Sequence, residues 1–235
     1  MSPAGIAALV FSSAAALAGS DGHLSARWDA AEGWQEQRLG ATLRPNRFEI
    51  QAETGVLRIN SQSSMSLWAR PLAVDLASRP VLCWRWRISA PLQSADMSKK
   101  AGDDYAARLY IAFRLPPQSL DWPTRAQLAI ARRLYGEAVP DAALNYVWDN
   151  RHPVGHHAPN AYTGQTRMVV QRSGAAQAGQ WVQERRHLAE DARTWLPAGA
   201  QPVLVAVAAD TDNTGESVVA EFAGLKLVGA QDRCD

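Results

Sequence analysis

The sequence predicts an all-β chain, a two-sheet antiparallel β-sandwich of jelly-roll type, with one short helix inserted near residues 124–136. Three observations predict it. About ten short runs rich in β-branched and aromatic residues are separated by Gly, Pro, Asn and Ser turn signals, without the helical spacers that parallel βαβ units need. Several runs alternate apolar and polar side chains with period two, as a strand with one covered face requires. The run Val203 to Ala209 is apolar at every position, so both its faces need cover and a second layer must exist.

The elements follow in order. Residues 1–18 carry no charged side chain, and the apolar run Ile6 to Leu17 matches a secretory h-region, well short of the ~20 residues that span a bilayer. Ala16-Leu17-Ala18 supplies a small-x-small cleavage site, although no Lys or Arg precedes the run; the alternative is simply an Ala-rich terminus. The expectation is a signal peptide over 1–18, one sandwich domain over 19–235, no transmembrane segment, and a periplasmic or secreted protein. Arg47 to Gln51, Gly55 to Asn60 and Ser66 to Arg70 read as strands, and Pro71, which cannot donate a ladder hydrogen bond, demotes Leu72 to Leu76 to an edge or bulged strand.

Val81 to Ile88 is the cleanest strand, with Leu82, Trp84, Trp86 and Ile88 on one face and Val81, Cys83, Arg85 and Arg87 on the other. Asp104 to Arg114 alternates likewise, placing Tyr105, Ala107, Leu109, Ile111 and Phe113 inward and Asp104, Arg108 and Tyr110 outward. Thr124 serves as N-cap of the inserted helix, Leu128, Ala131, Leu134 and Tyr135 recur at helical spacing, and Gly136 terminates it. Ala143 to Trp148, Thr166 to Gln171 and Trp181 to Leu188 are further strands, and Glu190 to Leu196 reads as one or two helical turns. Val203 to Leu227 closes the domain as a hairpin across D-T-D-N-T-G, with a bulge at Gly224.

Lys plus Arg number 24 and Asp plus Glu 23, which argues against a global bias toward nucleic acid or anionic membranes. Phosphate-binding glycine loops, dinucleotide signatures and a G-x-S-x-G elbow are missing from the sequence. The two cysteines, Cys83 and Cys234, could pair in an oxidising compartment, but Cys83 sits inside a strand and is expected to be a buried thiol.

Two constellations carry chemistry. Asp210-x-Asp212-x-Thr214-Gly215 with Glu221 has the spacing of an EF-hand loop, but β-branched strands flank it, so Glu221 should lie along the outgoing strand. The loop reads as a turn whose Asp and Asn side chains bond their own backbone; the alternative is a sandwich-edge calcium site on Asp210 and Asp212. Asp103-Asp104 with Arg85 and Arg108 reads either as an ion-pair network across a sheet face or as a shallow groove. In such a groove arginines would grip carboxylate or sulfate while Tyr110, Tyr146 or Trp148 stacks on a sugar ring, joined by Asn145 and Arg185. Aromatics at this spacing are more often core. His152, His156 and His157 share a loop, read as solvated rather than metal-binding.

V-L-C-W-R-W-R-I, G-D-D-Y-A-A-R-L-Y-I-A-F, A-L-N-Y-V-W-D-N, W-V-Q-E-R-R and D-T-D-N-T-G together resemble the bacterial exported family of domain of unknown function 3047, over roughly residues 28–227. The resemblance implies a galactose-binding-like sandwich and no known activity. Its motif positions here are Arg85, Asp103, Asp104, Arg108, Asn145, Tyr146, Trp148, Glu184, Arg185, Asp210, Asp212 and Asn213. The functional expectation is an exported, non-catalytic module binding a polysaccharide or cell-envelope glycan, with calcium as a possible staple. One alternative is a sandwich-fold glycan hydrolase or lyase using Asp103 or Asp104 with Tyr146 or Glu184. Another is a structural envelope protein with no small ligand.

Overall fold

The computed structural model describes residues 27–40, 42–135 and 140–234; the expected signal peptide and the Gly136 terminator lie outside the described residues. The strands are β1 (Gln35–Gln37), β2 (Arg47–Gln51), β3 (Val56–Gln62), β4 (Leu67–Pro71), β5 (Val81–Ile88), β6 (Tyr105–Arg114), β7 (Ala142–Asp149), β8 (His157–Pro159), β9 (Thr166–Ser173), β10 (Val182–His187), β11 (Gln201–Asp210) and β12 (Ser217–Val228). They form a seven-stranded sheet ordered β1-β4-β11-β6-β7-β9-β8 and a five-stranded sheet ordered β10-β5-β12-β3-β2.

The two-sheet sandwich is as expected, but the pairing departs from all-antiparallel at one place, where β7 and β9 run parallel. After β7 the chain loops outward and lays down β8, which pairs antiparallel on the far edge of β9. The chain therefore re-enters beside β7 in the same direction.

The Val203 to Leu227 stretch is not a hairpin. β11 pairs with β4 and β6 in the larger sheet, whereas β12 pairs with β3 and β5 in the smaller one. The D-T-D-N-T-G loop is thus a crossing between layers, and the β3–β4 connection crosses beside it. Ser63 N donates to Glu216 O at 3.0 Å, Thr211 N donates to Ser64 O at 3.2 Å, and the Ser61 and Thr211 hydroxyls lie 2.8 Å apart. Each hydroxyl answers a buried polar group where the ladders end.

The core between the sheets takes Leu82, Trp84, Trp86 and Ile88 from β5, Leu109, Ile111 and Phe113 from β6, Leu144, Tyr146 and Trp148 from β7, and Phe222, Leu225 and Leu227 from β12. The Trp86 ring centroid lies 5.5 Å from Trp84, 5.7 Å from Trp148 and 6.1 Å from Phe222. Edge-to-face and tilted aromatic contacts of this kind stabilise by about 0.5–1.5 kcal/mol each beyond area burial. As the unbroken apolar run demands, the other face of β11 is also covered, with Leu204, Ala206 and Ala208 packing beside Met65, Leu67, Ala69 and Ala112.

Of the four register shifts in the ladders, two bear on the outer faces of the sheets. Gly224, at φ +60°, lies where the β12–β5 register jumps from Ala223 to Lys226, as expected. The second was missed: Ala208 faces Arg108 but Asp210 faces Tyr105, so β6 carries an extra residue. Ala106 joins Ala107 in the core and Tyr105 turns to the outer side, contrary to strict alternation.

The inserted helix α1 spans Trp122–Tyr135, starting earlier than expected because Asp121, not Thr124, caps it: Asp121 Oδ1 accepts from Thr124 N at 2.9 Å. A second helix, α2 (Leu188–Trp195), begins before Glu190, where His187 Nδ1 accepts from Glu190 N at 3.2 Å. Among the described residues no helix is long and apolar enough to cross a membrane. Cys83 is not a free thiol. It is bonded to Cys234 with a Cα–Cα distance of 5.5 Å. Cys83 lies on the outer face of β5, so its sulfur meets the chain returning after β12 instead of the tryptophan core.

Candidate functional site

Arg108 organises the first site. It stands on the outer face of the seven-stranded sheet, in a row with Leu67, Ala208 and Val147. Its guanidinium carbon lies 4.8 Å from the Tyr105 ring centroid and 4.7 Å from that of Tyr110, and it forms an ion pair with Asp210. With the Asn145 amide turned so that its oxygen faces the arginine, that oxygen accepts from Nε at 3.2 Å and Nη2 at 2.7 Å. The Tyr105 inversion made by the Ala106 bulge completes this sandwich of rings.

The remaining motif carboxylates surround it. Asp103 accepts from the Tyr105 hydroxyl at 3.1 Å and from Asn160 Nδ2 at 2.6 Å. Asp104 accepts from Asn213 N at 3.3 Å, Asn213 Nδ2 at 3.0 Å and Thr214 N at 2.6 Å. The Tyr162 hydroxyl lies 2.9 Å from Asn213 Oδ1. Motifs from β6, β7 and the β11–β12 crossing therefore converge on one cluster. Burial raises the Asp103 pKa above the usual carboxylate range, with Arg108 opposing. Burial lifts Asp210 further, again against Arg108. Burial also opposes the charge on Arg108, but Tyr110, Asp210 and Asp103 outweigh it, so the guanidinium stays ionised.

The cluster is sealed. Asp103 is 5% exposed, Asp104 1%, Arg108 4% and Asp210 3%. The expected open groove on these residues is not present, because Arg108 spends its donors on Asp210 and Asn145. One ligand-capable oxygen from each of Asp104, Asp210 and Asp212 lies within 4.8 Å of the other two, and Asp210 Oδ1 has no hydrogen-bond partner. This is where a metal ion could sit.

Tyr146 and Trp148 are also corrected. They point into the core, where Tyr146 lies 5.6 Å from Trp84, so neither can stack on a ligand. The Tyr146 hydroxyl donates to Asp191 Oδ2 at 2.6 Å, and Arg186 grips Asp191 at 2.6 and 2.7 Å. Trp148 Nε1 donates to Gly174 O at 3.1 Å. Glu184 likewise faces inward, accepting from Trp86 Nε1 at 2.9 Å, Gln171 Nε2 at 3.0 Å and Arg172 Nε at 2.5 Å. It does not meet Asp103 or Asp104, and a paired-carboxylate arrangement with Glu184 does not form. A depression of ≈ 220 Å³ near α2, lined by Leu76, Ala77, Ala192, Arg193 and Pro197 among others, holds no carboxylate. The three histidines part company: His152 stacks on His156 at 4.7 Å and bonds Asp149, whereas His157 packs 5.4 Å from Trp195.

Arg85 and Arg185 belong to a second, open region on the outer face of the five-stranded sheet. There the Arg85 and Arg87 guanidiniums lie 5.5 and 5.0 Å from the Trp181 ring centroid. Sequence reasoning missed Trp181. The β10–β5 register, with Val182 opposite Trp86, continues one step to set Trp181 beside Arg87. Arg185 Nη2 donates to Ala230 O at 2.6 Å. Glu221 lies along β12, as expected, and is shared by Arg58 at 2.9 Å and by Arg87. Strand register places Arg47, Arg58, Arg85, Arg87, Arg185 and Lys226 on this face against Glu49 and Glu221, which makes it basic.

A family model described as protein of unknown function (DUF3047) matches residues 32–226. Among curated proteins, none matches the chain. The sandwich is similar to a metagenome-derived glycoside hydrolase family 12 endoglucanase, at 12% identity and TM-score 0.47, covering 86% of this chain and 94% of that one. It is also similar to a thermostable cellulase derived from Cel12A of Rhodothermus marinus, at 13% identity, TM-score 0.46, and 86% and 94% coverage. The xyloglucanase domain of NopAA from Sinorhizobium fredii, solved with cellobiose, gives 6% identity, TM-score 0.43, and 83% and 92% coverage. A likeness this loose decides nothing about chemistry.

Proposed function

The chain belongs to the DUF3047 family, and from that premise we propose that it is an exported, non-catalytic binding module for an acidic polysaccharide or cell-envelope glycan. The site is the outer face of the five-stranded sheet. The observation that carries the proposal is the exposed Arg85 with Arg87 against the half-buried Trp181 ring on a basic face. Among the described residues Arg85 has no carboxylate partner, so its planar fork of donors is open to a uronate carboxylate or a sulfate, and the indole offers an apolar surface to a sugar ring. Export is supported by the Cys83–Cys234 bridge, which suits an oxidising compartment, and by the h-region-like run at the N-terminus.

Titration calorimetry of the full chain against a polyuronate, a sulfated polysaccharide and a neutral glucan tests the reading. Binding to the anionic polymers that weakens with salt is expected, and Arg85→Ala should lower affinity by about 10-fold or more, as loss of a charge-assisted contact does. Unchanged affinity in Arg85→Ala and Trp181→Ala would remove this site. No binding to any of the three polymers would remove the function.

A further inference from the structure

The acidic cluster on the opposite sheet is left over by this proposal and does not depend on it. Asp103 and Asp210 face the Arg108 guanidinium, Asp104 and Asp212 gather beside Asp210, and three of these four carboxylates are nearly fully buried. Like charges gathered in so dry a place are costly unless they are neutralised by protons or by a cation. Asp210 gives Oδ2 to Arg108, but its Oδ1 is buried and unpartnered. A buried carboxylate oxygen left without a partner is costly, most of all when it carries charge. One oxygen each of Asp104, Asp210 and Asp212 falls within 4.8 Å of the others. Three oxygens that close together can share one hard cation, whose Ca–O bonds would run to roughly 2.3–2.6 Å.

We infer that Asp104, Asp210 and Asp212 bind a hard divalent cation, calcium by the type of its donors. Asp210 ends β11, Asp212 lies in the crossing loop and Asp104 stands at the entrance of β6, so the ion would tie the layer crossing to the larger sheet. Asp212 is half-exposed and gives the ion a route from solvent. The Asn213 and Thr214 amides that bond Asp104 hold its carboxylate in place and leave the donor set all oxygen, the chemistry that calcium selects over zinc or copper. The sequence pointed to Asp210 and Asp212 as a pair; Asp104 is the ligand that only the fold supplies.

The test uses the chelator-stripped full chain. Tb³⁺ emission excited through tyrosine should appear, because Tyr105 and Tyr162 adjoin the cluster, and Ca²⁺ should quench it by displacement. Ca²⁺ at about 100-fold its Kd should raise the unfolding midpoint by about 5–10 °C, and Asp212→Asn should lose both effects. Absence of a midpoint shift in the wild-type chain, an equal shift in Asp212→Asn, or a shift given by Mg²⁺ but not by Ca²⁺ each overturns the assignment. The wild-type titration stands alone if the variant does not fold.

Discussion

The outer faces of the two sheets are built from the same residue types and do opposite things. On the seven-stranded sheet an arginine lies between two tyrosine rings, but Asp210 and Asn145 consume its donors and the assembly is closed to water. On the five-stranded sheet the Arg85 and Arg87 guanidiniums flank Trp181, and that face is open, with Arg85 exposed. An arginine beside an aromatic ring is therefore a counter-ion in one place and, on the reading proposed above, a ligand contact in the other. Depth and the presence of a matched carboxylate decide which.

The largest expected effect comes from breaking the closed side. Arg108→Ala strands Asp210 without its partner and should destabilise the chain by about 3–5 kcal/mol, read from urea unfolding. Arg85→Ala, the same change on the open side, should stay within about 0.5 kcal/mol. A similar loss in both would erase the distinction. Glu221→Gln sharpens it from the middle: Glu221 is buried under Arg58 and Arg87, so neutralising it should cost about 1–3 kcal/mol while raising affinity for anionic polysaccharide by freeing Arg87.

The smallest effect is one of pH. Asp103 has a folded pKa above its unfolded one, so its contribution is fully present below the ordinary carboxylate range and is lost as pH rises through the raised value. In chelator, stability should decline as pH rises from the ordinary carboxylate range through the raised value, and Asp103→Asn should flatten that decline. Urea midpoints measured across this window check it, and an unaltered slope in the variant would assign the decline elsewhere.

Much of this was legible in the chain. β5 was readable residue by residue, because Trp84 and Trp86 alternate with arginines and no bulge interrupts them. β6 was misread at Tyr105, since a bulge leaves no local signature when Ala106 and the residue after it, Ala107, are both small and apolar. Tyr146 and Trp148 were candidates for a platform because period two gives two faces without saying which is dry. The motif residues Asp103, Asp104, Arg108, Asn145, Asp210 and Asn213 do come together, but as a sealed cluster, and burial depends on what the other elements lay over a face. The cysteine pairing was hidden for a similar reason: 151 positions separate the two residues, and only the return of the chain after β12 brings them together.

β11 and β12 occupy interior positions in different sheets, yet only residues 211–216 separate them. Neither sheet can complete its centre without drawing the other to within a loop's reach, so assembly has no stage at which one layer stands finished alone. The partners of these strands are far away in sequence, β4 for one and β3 for the other. Loop-closure entropy must therefore be met before pairing rewards it, which places the chain among slow folders, on the order of milliseconds to seconds. A nick in that short connection would cut the covalent tie between the central strands of the two layers.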